Sequence, residues 1–177
     1  MTSHKLYRSL LVTGTLIVLV AVNMTIYDRE KTLQEGEKIY LRLSPADPRS
    51  MTKGDYQSLS YSIFEDIQKN LSECKDRLPL KRCNASGYAI VEIGDDSIAK
   101  FISLYHGEEL SPRERKLKFH IENSRLTMPS SRFFFREGNG RLYTNAVYAG
   151  LRLNPDGTTI LENLYDESLE KIDESDR

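Results

Sequence analysis

The chain has only two cysteines and three histidines among its 177 residues. Cys74 and Cys83 are separated by eight residues, a spacing that excludes the C-x-x-C redox motif. No histidine lies near them in the sequence to complete a zinc site. His106 and His120 fall on neighbouring predicted strands, without a third ligand beside them. We therefore expect neither a metal site nor a cofactor.

Several motifs that identify large enzyme classes are also missing. The sequence has no G-x-x-x-x-G-K-[ST] phosphate loop, no G-x-S-x-G nucleophile elbow and no H-E-x-x-H zinc motif. Excess positive charge is missing too. Without Lys5 and Arg8, the 25 basic residues fall to 23, against 26 acidic ones. A net charge of −3 after residue 8 gives no reason to expect nucleic acid as a partner.

One segment has no charged side chain at all, from Ser9 to Tyr27. At about 1.5 Å per residue this segment is roughly 28 Å long, close to the ~30 Å hydrocarbon core of a bilayer. We predict a transmembrane helix over residues 9–27, after a short cytoplasmic tail, residues 1–8. A cleavable signal peptide is the alternative, but its only candidate cleavage site, Leu19-Val20-Ala21, lacks the small first residue.

The orientation of this helix is not determined by local charge. Lys5 and Arg8 precede the apolar segment and Arg29 and Lys31 follow it, so the basic residues on the two sides are equal in number. Residues 28–36 are highly charged and are predicted to be a helical continuation or a juxtamembrane linker.

Short alternating runs of apolar and polar residues dominate residues 37–164. Such runs predict β-strands, and several of them in one chain predict an antiparallel sandwich or a partly closed barrel. The sequence Asn154-Pro155-Asp156-Gly157 between the last two runs indicates a hairpin turn. The predicted strands are residues 39–44, 55–63, 88–93, 98–105, 116–122, 132–136, 147–153 and 158–164.

One helix and one loop interrupt the strands, over residues 62–86. Ile63, Ile67 and Leu71 recur every fourth residue, which predicts an amphipathic helix about three turns long. The loop that follows is enclosed by Cys74 and Cys83. If residues 28–177 lie outside the cytoplasm, the even number of cysteines favours a disulfide between them, and two independent thiols are the alternative. The acidic tail, residues 165–177, is predicted to be a short helix with a frayed end.

Residues 54–61 read Gly-Asp-Tyr-Gln-Ser-Leu-Ser-Tyr. Gly54 precedes an alternating run, as a glycine in a left-handed turn would. Asp55 is interpreted as a turn residue whose carboxylate accepts hydrogen bonds from backbone N–H groups. The alternative is a ligand-binding or catalytic carboxylate. Tyr56 lies on one face of the predicted strand. The opposite face is predicted to enter the core: Leu59, Tyr61 and Ile63.

This octapeptide fits the pattern G-D-Y-x-x-L-x-Y at every fixed position, and the chain resembles the GDYXXLXY family of small membrane-anchored bacterial proteins. Asp47-Pro48-Arg49 resembles the D-P-R element that precedes the motif in that family. Residues 133–138 are similar to its late aromatic and E-G element. The resemblance covers about residues 36–164. It implies a single-pass protein of the bacterial inner membrane with a periplasmic or extracellular C-terminal domain, and it implies no settled activity.

Four residues are candidates for a binding surface around the motif: Asp47, Arg49, Asp55 and Tyr56. An arginine and a tyrosine beside a turn carboxylate are typical of recognition surfaces. An internal ion pair of Arg49 with Asp47 or Asp55, which would fix the loop, is the alternative. Gly54, Leu59 and Tyr61 are expected to act through folding.

The leading functional hypothesis is a non-enzymatic, membrane-anchored interaction module. The family resemblance implies a multi-span membrane protein as its partner, and Thr13, Gly14 and Thr15 give the span a small-residue face for helix contact. The alternative is a Ser/Lys-type hydrolase faintly similar to type I signal peptidases, with Ser50 as the nucleophile and Lys100 as the base. The proline that those enzymes carry after the Ser-Met pair is missing.

Overall fold

A computed structural model of the protein describes residues 2–44, 56–71, 85–122, 125–136 and 139–173. The chain divides into two compact units, residues 1–35 and residues 36–177. The first unit is a single helix, and the second is rich in β-structure.

Helix α1 runs from Thr2 to Glu35. Its segment Leu10–Glu35 is long and apolar enough to cross a membrane, and none of the most apolar part is buried within the protein. The exposed side chains include Leu10 at 70% and Met24 at 66%. The helix continues without a break through residues 28–35, so of the two predictions for this charged segment the helical continuation is confirmed.

The part of the second unit that is described contains nine strands, one α-helix and one 3₁₀ helix. The mainly β fold predicted from the alternating runs is confirmed. In chain order the elements are β1 (Glu37–Arg42), β2 (Tyr56–Ser58), α2 (Ile63–Asn70), β3 (Ala85–Ile93), β4 (Ala99–Leu104), β5 (Glu114–Glu122), β6 (Arg125–Thr127), β7 (Arg132–Phe134), the 3₁₀ helix (Gly140–Asn145), β8 (Tyr148–Leu153) and β9 (Thr159–Tyr165).

The strands form three antiparallel sheets, with strand orders β1-β8-β9, β2-β7 and β4-β3-β5-β6. One sheet is curled into a half-barrel, and two contacts link the larger sheets to each other. A parallel bridge between Tyr40 and Ile98 connects β1 to the start of β4. At the other end, the Lys118 N–H donates to the Gly157 carbonyl at 2.8 Å, so the β8–β9 turn returns to β5. This curl agrees with the partly closed barrel among the predicted alternatives.

The hydrophobic core lies on the inner face of the curled strands. On β5, the buried side chains alternate with lysine and histidine side chains that are only partly buried, as a strand with one buried face requires. β1 alternates in the same way, whereas β8 has three consecutive buried residues, 149–151. The two strands bring side chains from distant parts of the sequence together. Fully buried core residues include Ile39, Leu41, Leu117, Ala149, Leu151 and Leu164. Residues 36–177 therefore have a hydrophobic core of their own.

The β8–β9 hairpin has the turn that its sequence predicts. Gly157 has a φ of +87°, which L side chains rarely adopt, and its N–H donates to the Asn154 carbonyl at 2.9 Å. Asp156 accepts hydrogen bonds from the Thr158 hydroxyl and the Thr158 N–H. These bonds, the hydroxyl bond foremost, hold the pKa of Asp156 below its usual value.

The structure corrects three details of the sequence prediction. The motif strand β2 ends at Ser58, and Ile63 begins α2 instead of continuing the strand. Helix α2 has 8 residues, about two turns and not three, because Leu71 leaves the helix with an extended ψ of 92°. The predicted tail helix is wrong over its described part. Tyr165 belongs to β9, and residues 166–173 form turns and a bridge from Tyr165 to Lys171.

Candidate interaction surface

The motif strand β2 pairs with one other strand, β7, in the described part of the chain. In the register of this ladder, Tyr56 is opposite Phe134 and Ser58 is opposite Arg132. The two strands are distant in sequence, so the motif is brought beside the late aromatic segment only by the fold.

Two further motif residues contact the turn that leads into β7. The Leu59 N–H donates to the Ser131 carbonyl at 2.8 Å. The Tyr61 hydroxyl donates to the carbonyl of Ser130 at 2.7 Å, and Tyr61 is 0% exposed. Burial raises the pKa of Tyr61 above its ordinary value, so the phenol stays protonated and remains a donor. Three fixed positions of the octapeptide, at residues 56, 59 and 61, thus position β7.

Polar contacts within the turn add to this positioning. The Met128 N–H donates to the Ser131 hydroxyl at 3.0 Å, and the Ser131 N–H donates back to the Met128 carbonyl. The buried Ser130 hydroxyl lies 3.0 Å from the hydroxyl of Thr159 on β9. Because these buried polar groups satisfy one another, the start of β7 has a defined geometry.

Three consecutive phenylalanines follow this turn, and they do not share one environment. Phe133 and Phe135 pack against the buried ring of Tyr143 in the 3₁₀ helix, with centroid distances of 4.7 Å and 5.7 Å. Phe134 points to the other face and is 69% exposed. The alternation continues on both sides of it, since Arg132 and Arg136 are also exposed. We call these three exposed residues, Arg132, Phe134 and Arg136, the Arg–Phe–Arg stripe.

Most of the binding residues predicted from the sequence lie outside the described residues. This holds for Asp47, Arg49, Asp55 and Gly54, and also for Ser50, Cys74 and Cys83. For Tyr56 the structure describes the backbone pairing alone. Leu59 is 5% exposed and Tyr61 is fully buried, whereas the intervening Ser60 is exposed.

Other side chains that could take part in catalysis or metal binding lie elsewhere on the domain. Lys100, the base of the hydrolase hypothesis, is exposed on β4 opposite Glu92. His120 Nδ1 is 2.8 Å from the Ser86 hydroxyl oxygen. Within the described ranges, no three histidine, cysteine or acidic side chains are close enough to hold a metal ion.

A small cleft of about 240 Å³ opens between α2 and strands β3–β5. Its sides combine apolar residues with polar ones, and Lys116 Nζ lies over two of its rings, 5.7 Å from Tyr88 and 5.4 Å from Tyr105. The lining residues are Asn70, Leu71, Ser86, Gly87, Tyr88, Leu104, Tyr105, His106, Phe119 and Ile121. This volume is below the 300–1,000 Å³ typical of ligand pockets.

The family model described as "GDYXXLXY protein" matches residues 18–164. The chain belongs to the GDYXXLXY family. The match begins inside α1, upstream of the region covered by the motifs, and it ends in β9. It therefore includes both strands of the β2–β7 ribbon. No curated protein and no solved structure matches this GDYXXLXY protein significantly.

Sequence reasoning missed the Arg–Phe–Arg stripe of this GDYXXLXY protein. Three adjacent phenylalanines hide the period of two that identifies a strand face. The two arginines that flank the Phe-Phe-Phe run were the available signal, because they occupy the same strand face as the central phenylalanine.

Proposed function

We propose that the protein is a non-enzymatic interaction module, anchored in the bacterial inner membrane by α1 and acting with a multi-span membrane protein. Residues 36–177 would lie on the periplasmic or extracellular side, where Cys74 and Cys83 would form a disulfide. The proposal is supported by family membership together with the exposed apolar surface of α1, which requires lipid or another apolar surface to cover it.

The choice of a membrane protein as the partner rests on Asn23, a polar side chain within the apolar segment of α1. Its Nδ2 donates to the Leu19 carbonyl at 2.9 Å within the apolar segment. An asparagine side chain can donate a second hydrogen bond and accept others. Polar groups in hydrocarbon are costly, and transmembrane helices use asparagine for hydrogen bonds to other helices.

The neighbourhood of Asn23 has the shape that a second helix needs. A shallow groove on one face of α1 is lined by Leu16, Leu19, Val20, Asn23, Met24 and Tyr27. Together these residues offer a face on which another transmembrane helix could pack closely.

We expect Asn23→Leu to reduce co-purification of the membrane partner by about 3- to 30-fold, because one interhelical hydrogen bond contributes roughly 0.6–2 kcal/mol. The measurement is quantitative mass spectrometry of proteins recovered with the full chain from gently solubilised membranes. Val18→Leu is the matched control, since Val18 is 62% exposed on another face of the same helix and has no polar group. Equal recovery with Asn23→Leu and the wild type would contradict a role for this face.

The proposed topology makes a separate prediction. A reporter that is active only outside the cytoplasm should function when it is fused after Arg177, because α1 would place the whole second unit across the membrane. The control is the same fusion on a chain that lacks residues 1–35, which should be inactive. Activity of a cytoplasm-only reporter at Arg177 would reverse the topology and remove the basis for the disulfide.

The hydrolase remains the alternative function. A Ser50→Ala variant that keeps its stability and its partner but loses its biological effect would favour it. If the Ser50→Ala variant keeps its biological effect, the interaction module is the function that the result supports.

A further inference from the structure

Basic and acidic residues are segregated along the second unit. Between Glu122 and Asp156 the sequence has five arginines, no lysine and one acidic residue, Glu137. From Asp156 to the C-terminus it has eight acidic residues and two basic ones. A domain with a net negative charge therefore contains a segment of opposite sign whose basic residues are all arginines.

These arginines are not equivalent in the structure. Arg152 forms an ion pair with Glu162 at 3.0 Å and so contributes to the β8–β9 sheet. The other four arginines of the segment are exposed: Arg125, Arg132, Arg136 and Arg141. Arginine is the preferred residue for phosphate because its planar group presents two parallel N–H donors.

The Arg–Phe–Arg stripe combines two of these arginines with an exposed aromatic ring. Residues two apart on an extended strand stand on the same face, roughly 7 Å from each other. Arg132 therefore shares a strand face with Phe134, and the exposed Arg136 follows two residues after the end of β7. The stripe is held in place by the motif contacts at Tyr56, Leu59 and Tyr61 described above.

We propose that the Arg–Phe–Arg stripe docks the β-rich domain onto an anionic phospholipid surface, namely that of the membrane in which the chain is anchored. Phe134 enters the interface between head groups and acyl chains, while Arg132 and Arg136 bind lipid phosphates. An exposed phenylalanine with arginines on the same surface matches that interface. Protein-binding hot spots also use arginine and aromatic residues, but they cluster in well-packed pockets at the centre of an interface.

The chain length after the apolar segment is consistent with this docking. From Asp28 to Glu35 the helix adds about 12 Å, and β1 begins at Glu37. The domain is thus tethered close to a lipid surface, where the effective lipid concentration is high and a weak contact is sufficient. The inference rests on the anchoring part of the proposed function, and it does not depend on the multi-span partner.

The absence of tryptophan from the chain allows a direct test in the full-length protein. Phe134→Trp introduces a single fluorophore at an exposed position. The protein is reconstituted into vesicles of phosphatidylcholine with phosphatidylglycerol, and into vesicles of phosphatidylcholine alone, each with and without brominated acyl chains. Docking predicts a blue-shifted emission and quenching by the brominated lipid in the anionic vesicles.

Two matched controls separate docking from anchoring. Ile102→Trp places the fluorophore at another exposed apolar position, 48% exposed on β4, and should keep a water-like, unquenched emission. In the Phe134→Trp background, Arg132→Gln with Arg136→Gln should lower the ratio of docked to undocked domain by about 30-fold, since each arginine near an anionic surface contributes about a factor of 5. Arg113→Gln, which removes an exposed arginine outside the stripe, should have little effect.

Several results would overturn the proposal. One is a Phe134→Trp protein that integrates into the vesicles but has the same emission maximum and quenching as the Ile102→Trp control. Equal quenching in neutral vesicles, or quenching that is insensitive to Arg132 and Arg136, would contradict phosphate recognition. A shift that requires added membrane protein would assign the stripe to a protein partner. A chain that fails to integrate at all would count against the anchor, and so against the proposed function.

Discussion

Replacing Tyr61 with alanine is expected to lower the free energy of unfolding of the β-rich domain by about 3–5 kcal/mol. The side chain is fully buried, and its ring packs edge-to-face on Phe64 at a centroid distance of 5.4 Å. The loss would remove this packing and the hydrogen bond to the Ser130 carbonyl. The measurement is denaturant unfolding of residues 36–177, which have their own core.

Two further variants separate the contributions of the ring and the hydroxyl. Tyr61→Phe keeps the packing but leaves the Ser130 carbonyl without this donor, and should cost about 1–3 kcal/mol. Ser60→Ala changes an exposed neighbour and should stay within about 0.5 kcal/mol of the wild type. If Tyr61→Phe were as stable as the wild type, the hydroxyl would not be what positions the turn before β7.

Alanine at position 150 is expected to destabilise the domain by about 1–3 kcal/mol, although Gly→Ala in an unhindered strand is usually stabilising. A Cβ on Gly150 would overlap Cε2 of Tyr165. That ring is not free to move, because its hydroxyl accepts a hydrogen bond from Lys38 at 2.9 Å. Tyr40 also packs edge-to-face against it at 5.0 Å.

A double-mutant cycle tests this cause for Gly150→Ala. In a Tyr165→Leu background the smaller side chain leaves room for the added methyl group, so Gly150→Ala should cost at least about 1 kcal/mol less than in the wild type. Thermal or denaturant unfolding of the four proteins gives the coupling. Strictly additive effects would show that the loss comes from the strand backbone and not from the aromatic contact.

The predictions for Tyr61 and Gly150 depend on contacts that the sequence reveals only in part. The alternation around Leu59 and Tyr61 is visible in the sequence and predicts burial. The partner of the Tyr61 hydroxyl is not visible, because Ser130 lies 69 residues further along the chain. The packing of Tyr165 over Gly150 is likewise a contact between neighbouring strands that no local pattern encodes.

Local sequence patterns did not predict elements that are too short to show a periodicity. They also misplaced the end of α2, where the apolar spacing continues past the helix. Strand β6 and the 3₁₀ helix have 3 and 6 residues, too few for a periodicity to stand out. The length of α2 was overestimated because Leu71 continues the apolar spacing after the helix has ended. Its side chain still packs on the core from an extended backbone, so spacing alone could not locate the end.

The sequence by itself determined the features that depend on local composition. An uncharged run from Ser9 to Tyr27 fixes the apolar segment of α1, period-two alternation fixes most strands, and Pro155-Asp156-Gly157 fixes the last hairpin. The octapeptide also identified the family. Each of these follows from one stretch of chain, because helix length, strand alternation and turn conformation are set by neighbouring residues.

Only the tertiary structure decided which strand pairs with the motif and which phenylalanine is exposed. Strand pairing is non-local, so the placement of Tyr56 opposite Phe134 depends on the whole curled sheet. Once β7 is paired and Tyr143 covers Phe133 and Phe135, the pleat directs Phe134 outward, with Arg132 and Arg136 beside it. The surface therefore arises from packing on one side of a strand, which the sequence of that strand does not specify.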